Sequence, residues 1–133
     1  MNEQITVGGG CHCGAVRFEA TIERRREAQT CNCSICRMSG FQHLIVPASR
    51  FRLLSSEDQL IEYRFRSKVA RHLFCRTCGI KSFYVPRSNP EGISLNVRCL
   101  DLPEGIEIEF QAFDGQNWSQ NAAALKHLSE EKS

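Results

Sequence analysis

Hydrophobic and polar positions alternate strictly along Ala15–Glu23. Val16, Phe18, Ala20 and Ile22 face one way, and Arg17, Glu19, Thr21 and Glu23 face the other. That two-residue period is the signature of a half-buried strand. A less complete version runs through Leu60–Arg66, with Ile61, Tyr63 and Phe65 set against Glu62, Arg64 and Arg66. It returns in Ile93–Val97, through Ile93, Leu95 and Val97, and in Ile106–Phe110, through Ile106, Ile108 and Phe110. Three other runs are apolar or β-branched: Phe41–Val46, which stops at Pro47, Val69–Phe74, which leads into a cysteine pair, and Lys81–Val85, which stops at Pro86. Gly40, Gly79, Pro90, Gly92, Pro103 and Gly105 punctuate the series. Short strands separated by such turn signals predict an antiparallel, mostly-β domain.

Helix is scarce in this pattern. One turn is predicted over Ser34–Ser39. Ser119 is placed to N-cap a short C-terminal helix over Gln120–Leu128, where Ala122, Ala123, Ala124 and Leu125 are strong helix formers. The charged tail Ser129–Ser133 is expected to fray, and Arg24-Arg25-Arg26-Glu27 reads as a solvated loop. Trp118 is expected in the core or over an edge of a pocket, and Gly115 at a turn.

Composition narrows the function classes. A chain of 133 residues suits a single domain, residues 1–133, with a modest core. Hydrophobic residues at 41% and charged residues at 24% argue against disorder. No apolar run is long enough to span a membrane. The start, Met1-Asn2-Glu3-Gln4, has neither the basic nor the apolar region of a signal peptide. The expectation is a cytoplasmic protein, monomer or homodimer, that binds neither membrane nor nucleic acid.

The 8 cysteines change the picture. In a reducing compartment, thiols at this density are expected to be metal ligands rather than disulfides. Seven of them form three tight groups: Cys11-x-Cys13, Cys31-x-Cys33-x-x-Cys36 and Cys75-x-x-Cys78, with Cys99 left over. A close pair lets one turn aim two sulfurs at a single ion, and zinc needs two such turns to complete a tetrahedron. Cys13-Gly14 and Cys78-Gly79 each end in the residue that tolerates a positive φ after a thiolate turn, whereas Cys36 is followed by Arg37. On that ground Cys11, Cys13, Cys75 and Cys78 are assigned to one closed structural zinc site. Cys31, Cys33 and Cys36 are assigned to a second zinc with a fourth position open to substrate, the pattern of a catalytic site. A fourth protein ligand there, from Cys99, His43, His72 or His12, would close it. It would then make the protein a non-enzymatic zinc module for protein interaction or for carrying thiol or zinc. Cys99 is read as a buried thiol, a fourth ligand or an active-site thiol. The formal charge of +2 falls to about −1 once two Zn²⁺ take seven thiolates. The basic stretch Arg64, Arg66, Lys68, Arg71, Arg76 and Lys81, interleaved with Phe65 and Phe74, is therefore a weak signal for nucleic acid.

Four stretches, in order, resemble the glutathione-dependent formaldehyde-activating (GFA) family, also called the CENP-V/GFA domain. They are Gly10-Cys11-His12-Cys13-Gly14-Ala15-Val16-Arg17-Phe18, Cys31-Asn32-Cys33-Ser34-Ile35-Cys36-Arg37, Phe74-Cys75-Arg76-Thr77-Cys78-Gly79 and Asn96-Val97-Arg98-Cys99-Leu100-Asp101. The resemblance covers about residues 8–118. It implies a Mss4-like β-tent stapled by zinc, with the same division of cysteines between two ions. It also implies carbon–sulfur lyase chemistry, the reversible joining of formaldehyde to glutathione. A thiol with two carboxylates calls for cations near the open zinc, and Arg37 and Arg98 are the candidates. Asn96 is a candidate orienting donor and Asp101 a candidate base. The chain is shorter than the formaldehyde-activating members, mainly in its C-terminal part.

Overall fold

The computed structural model describes residues 3–65, 70–114 and 122–129. Its strands are β1 (Gln4–Gly10), β2 (Arg17–Glu23), β3 (Arg25–Cys31), β4 (Gln42–Pro47), β5 (Phe51–Leu53), β6 (Leu60–Tyr63), β7 (Arg71–Cys75), β8 (Phe83–Val85), β9 (Gly92–Asn96), β10 (Leu100–Asp101) and β11 (Glu107–Phe113). A helix, α1 (Ser34–Ser39), follows β3, and a 3-10 segment covers Ala122–Ser129. The fold is mostly β, as expected of a Mss4-like architecture.

Two sheets form. A four-stranded sheet runs β10-β1-β2-β5, and a seven-stranded sheet runs β11-β3-β4-β9-β8-β7-β6. The core lies between them. Val7, Phe18, Ala20 and Ile22 come from the small sheet; Ala28, Leu44, Val46, Leu73, Phe83 and Leu95 come from the large one. Phe18, Phe51 and Phe83 meet there with ring centroids 4.7–5.6 Å apart. Truncating the fully buried Phe18 to alanine would cost about 3–5 kcal/mol.

The large sheet is buried on its other face too. Gln29, His43, Ile45, His72 and Tyr84 each lie next in sequence to a core residue and so point away from the core, into a cavity. Register aligns them across the sheet: Gln29 opposes His43, His72 opposes Tyr84, and Tyr84 opposes Ser94.

Several expectations are corrected. Arg24–Glu27 is not a solvated loop, since β3 begins at Arg25. The Arg26 side chain is only 11% exposed and donates to the Ile45 carbonyl. The sheet is not wholly antiparallel, because β11 pairs with β3 in parallel over seven residue pairs. The glycine-rich β1 was not anticipated. Its Gly9 lies against the Phe18 ring and the Cys99 carbonyl, where a Cβ would come within 2.6 and 2.9 Å. The short β5 and β10 were also missed. The C-terminal segment is 3-10 rather than α. Ser119 and Gln120, with Gly115 and Trp118, lie outside the described residues, as do Arg66, Lys68 and Val69.

Candidate functional site

The first cysteine cluster sits at the seam of the two sheets. Cys11 and Cys13 follow β1, Cys75 ends β7 and Cys78 lies in the turn after it. All four sulfurs lie within 4.8 Å of one another. The two turns are built alike: the Gly14 N–H donates to the Cys11 carbonyl, and the Gly79 N–H to the Cys75 carbonyl. Both glycines have positive φ, 84° and 77°. A Cβ at either would meet nothing within 4 Å, so the backbone angle, not space, requires glycine. Peptide N–H groups point at sulfur: Thr77 and Cys78 donate to Cys75 at 3.3 and 3.4 Å, and Val16 donates to Cys11 at 3.3 Å. The Cys78 and Thr77 N–H groups hold the Cys75 thiol below its ordinary range.

The sulfur spacing is that of a metal site. Cys11 to Cys13 and Cys13 to Cys75 are each 3.6 Å. A disulfide needs about 2.05 Å. The edge of a tetrahedron with ~2.3 Å zinc–sulfur bonds is about 3.8 Å.

The second cluster lies on the cavity face of the large sheet. Cys31 ends β3. Cys33 is the N-cap of α1, with extended backbone and no side-chain capping bond, so its sulfur is free to turn inward. Cys36 lies three residues on, on the same face of the helix, and is buried. The left-handed Gly40, φ 69°, ends the helix and turns the chain into β4. These three sulfurs also lie within 4.8 Å of one another, and among the described residues no fourth ligating atom joins them.

Three thiols this close cannot all ionise unaided. Hydrogen bonds from Cys31 and Cys36 hold Cys33 down to about 2. Bonding to Cys33 pushes Cys31 up, and bonding to Cys31 and Cys33 pushes Cys36 well up. One negative charge is thus shared, and a divalent cation is what lets the others ionise. Both clusters therefore fit a thiophilic ion such as zinc.

A cavity of about 120 Å³ opens on the second cluster. Cys31, Cys33 and Cys36 line it, whereas no cysteine of the first cluster does. Ile35, Ile45, Phe65, Phe113 and Leu125 make much of it apolar. Leu125 comes from the 3-10 segment, which Asn89 anchors by donating to the Leu125 carbonyl and to Ser129.

Polar groups of the sheet face back the cluster. His43 Nε2 is 3.1 Å from the Cys36 sulfur, while its Nδ1 faces Ser94 Oγ at 3.1 Å and Tyr84 OH at 3.2 Å. Burial lowers the imidazole to about 3, so the ring is neutral. With a cation holding Cys36 as a thiolate, that sulfur would take a donor, which would assign the proton to Nε2 and leave Nδ1 to accept from a hydroxyl. Lys81 packs its ammonium over the Tyr84 ring at 3.9 Å and reaches His72 Nδ1 at 2.8 Å. Burial lowers Lys81 to about 8, against the pull of the Cys36, Cys33 and Cys31 sulfurs toward the charged form.

Other candidates fall elsewhere. Cys99 is half-buried beside the first cluster. Burial, then Cys11 and Cys78, push its thiol up to about 11. His12, Arg37 and Arg98 are exposed, and none of them lines the cavity; its cationic wall residue is Arg87. Asn96 is spent on the backbone of Gln42, Lys81 and Arg98. Asp101 pairs with Arg17 at 2.6 Å. In the basic stretch, Arg64 and Arg71 pair with Glu62, and Arg76 bonds the Asp58 carbonyl. His43 and His72, named from the sequence as possible fourth ligands, line the cavity, as does Tyr84, which was not named; Lys81 lies beside them without lining it. The runs Phe41–Val46 and Lys81–Val85 carry no polar alternation that would mark the cavity face.

Comparison with known proteins agrees with this geometry. The family model described as glutathione-dependent formaldehyde-activating enzyme matches residues 6–116. The crystal structure of a Rhodobacter sphaeroides protein is similar at 34% identity, with a TM-score of 0.65. The match covers 78% of this chain and 99% of that one. Among the described residues, no helix is long and apolar enough to cross a membrane.

Proposed function

The chain belongs to the glutathione-dependent formaldehyde-activating family, and from that premise we propose that it is a zinc-dependent carbon–sulfur lyase-like enzyme. It would reversibly add a thiol such as glutathione to formaldehyde or another small aldehyde. The observation that carries the reading is that the cavity meets the three-sulfur cluster and not the four-sulfur one. In this reading the chain is one zinc-binding domain with two ions, one structural on Cys11, Cys13, Cys75 and Cys78, and one catalytic on Cys31, Cys33 and Cys36.

A zinc held by Cys31, Cys33 and Cys36 would supply a Lewis acid that lowers the pKa of a bound thiol. The chain's own residues do the rest. His43 donates to Cys36 and fixes the direction of that sulfur. Three thiolates on a divalent ion leave a net charge of about −1. Lys81, held by Tyr84 and Phe41, places a positive charge close by. The apolar wall keeps water from the aldehyde carbon. In the forward reaction the sulfur–carbon bond forms, the carbonyl π pair moves to oxygen, and the thiol proton ends on that oxygen. The reverse reaction returns it, and no oxidant or reductant is used.

The cavity volume supports a small reacting end. It is well below the roughly 300 Å³ of pockets that enclose drug-sized ligands. A tripeptide would place only its thiol arm inside. The test is exchange spectroscopy on glutathione and formaldehyde with the zinc-loaded protein. Faster exchange between free and hydroxymethylated thiol is expected. Unchanged exchange with both sites loaded would refute the reading.

A further inference from the structure

The cavity wall holds a polar atom that the lyase reading leaves unused. Gln29 is only 8% exposed, and its buried Oε1 has no hydrogen-bond partner among the described residues. It lies two residues before Cys31 on β3, so both side chains leave the strand on the same face, about 7 Å apart along it. Both line the cavity. Its cross-strand neighbours are His43 on β4, whose Nε2 is engaged by Cys36 and whose Nδ1 is engaged by Ser94 and Tyr84, and Gln111 on β11, whose Nε2 donates to Glu109 Oε1 at 3.3 Å. Buried carbonyl oxygens are nearly always satisfied, because leaving one unpaired costs its full desolvation. A buried amide oxygen on a cavity wall, with its polar neighbours already engaged, is explained by a ligand that brings a donor.

We propose that Gln29 Oε1 accepts a hydrogen bond from the hydroxyl of the thiol–aldehyde adduct, and so selects the adduct over the free aldehyde. This rests on the lyase reading above. The unhydrated aldehyde that reacts with the thiol has no donor. The hydroxyl created when carbon joins sulfur is the one donor that every such adduct carries. The cavity admits only the reacting end of the thiol, so the donor that reaches Gln29 is the one next to the new carbon–sulfur bond. Gln29 is a specificity residue in this assignment. It carries no charge and binds no metal.

The experiment uses the full zinc-loaded chain and its Gln29→Leu and Gln29→Met variants, titrated with glutathione alone, with glutathione plus formaldehyde, and with ethanethiol plus formaldehyde. Binding is followed by calorimetry and by the Gln29 side-chain amide signal of the wild type in NMR. The expected result is about tenfold weaker binding of both adducts in the variants. Glutathione alone should bind equally in all three proteins, and the melting temperature should be unchanged or higher. The wild-type amide signal should shift with either adduct and not with thiol alone; it keeps the test decisive if the variants misfold. Equal adduct binding by wild type and variants, or no amide shift, overturns the assignment while leaving the lyase reading standing. A loss shown equally with glutathione alone overturns it in favour of a peptide N–H as the donor. A wild type that binds neither thiol nor adduct overturns both.

Discussion

The two cysteine clusters use the same side chain for opposite ends. The first is made of two turns from strands of different sheets, each closed by a positive-φ glycine and carrying N–H groups aimed at sulfur. Its Cys11 and Cys75 are counted in the hydrophobic core, and the cavity at the second cluster does not reach it. The second comes from one strand end and the helix that follows, within six residues, so closing it ties no distant parts of the chain together. It faces a cavity and is backed by a buried histidine and a half-buried lysine. The difference teaches that donor number alone does not separate structure from chemistry. What separates them is how far apart in the chain the ligands start, and whether anything other than protein can approach.

The largest effect is expected from Cys75→Ser. Structural zinc contributes about 10–16 kcal/mol in small domains, as much as the whole stability of most domains. The variant should fail to accumulate as soluble folded protein. Cys33→Ser should instead fold, keep about one zinc per chain by metal analysis, and lose exchange activity. Equal collapse of the two would erase the distinction between the clusters. Graded chelation sharpens the same contrast: zinc should leave in two phases, the first silencing the cavity without loss of far-ultraviolet circular dichroism. A single phase that coincides with unfolding would argue for one cooperative metal structure.

Smaller changes probe the supports. His43→Gln should weaken zinc at the second site by about 10–100-fold, measured by competition with a chromogenic chelator, and leave the first site unchanged. Unaltered affinity would show that the contact with Cys36 does not orient it. Gly79→Ala puts a side chain at φ 77° and should cost about 1–2 kcal/mol, lowering the melting temperature by several degrees. Gly105→Ala, also at positive φ but far from sulfur, serves as the control for strain alone. If both variants still bind two zincs, the glycine acts on stability and not on ligation.

Local features were legible because their causes are local. Arg17–Glu23 is a strand with its apolar side inward, as its alternation predicts. Ser34–Ser39 is a helical turn. Gly14 and Gly79 do occupy the conformation that only glycine enters freely, and the four cysteines paired on that argument do converge. The failures have a common source. β1, with Gly8, Gly9 and Gly10, has little strand propensity and exists because β2 and β10 pair with it. The arginine-rich start of β3 pairs in parallel with β11, some eighty residues away. His43, Tyr84 and Gln29 sit in or beside buried apolar residues, and a sheet covered on both faces loses the polar alternation that would reveal which face is which.

Read without coordinates, these 133 residues named the sulfur donors and paired the two turns whose four cysteines the structure brings together. Both are written in spacings of two or three residues and in the φ angle of the glycine that follows. Only the assembled sheets decided which cluster would join the core and which would face a cavity. That outcome depends on the register among β3, β4, β8 and β9, where a one-residue slip would turn Gln29, His43 and Tyr84 into the core and leave the three sulfurs without a pocket.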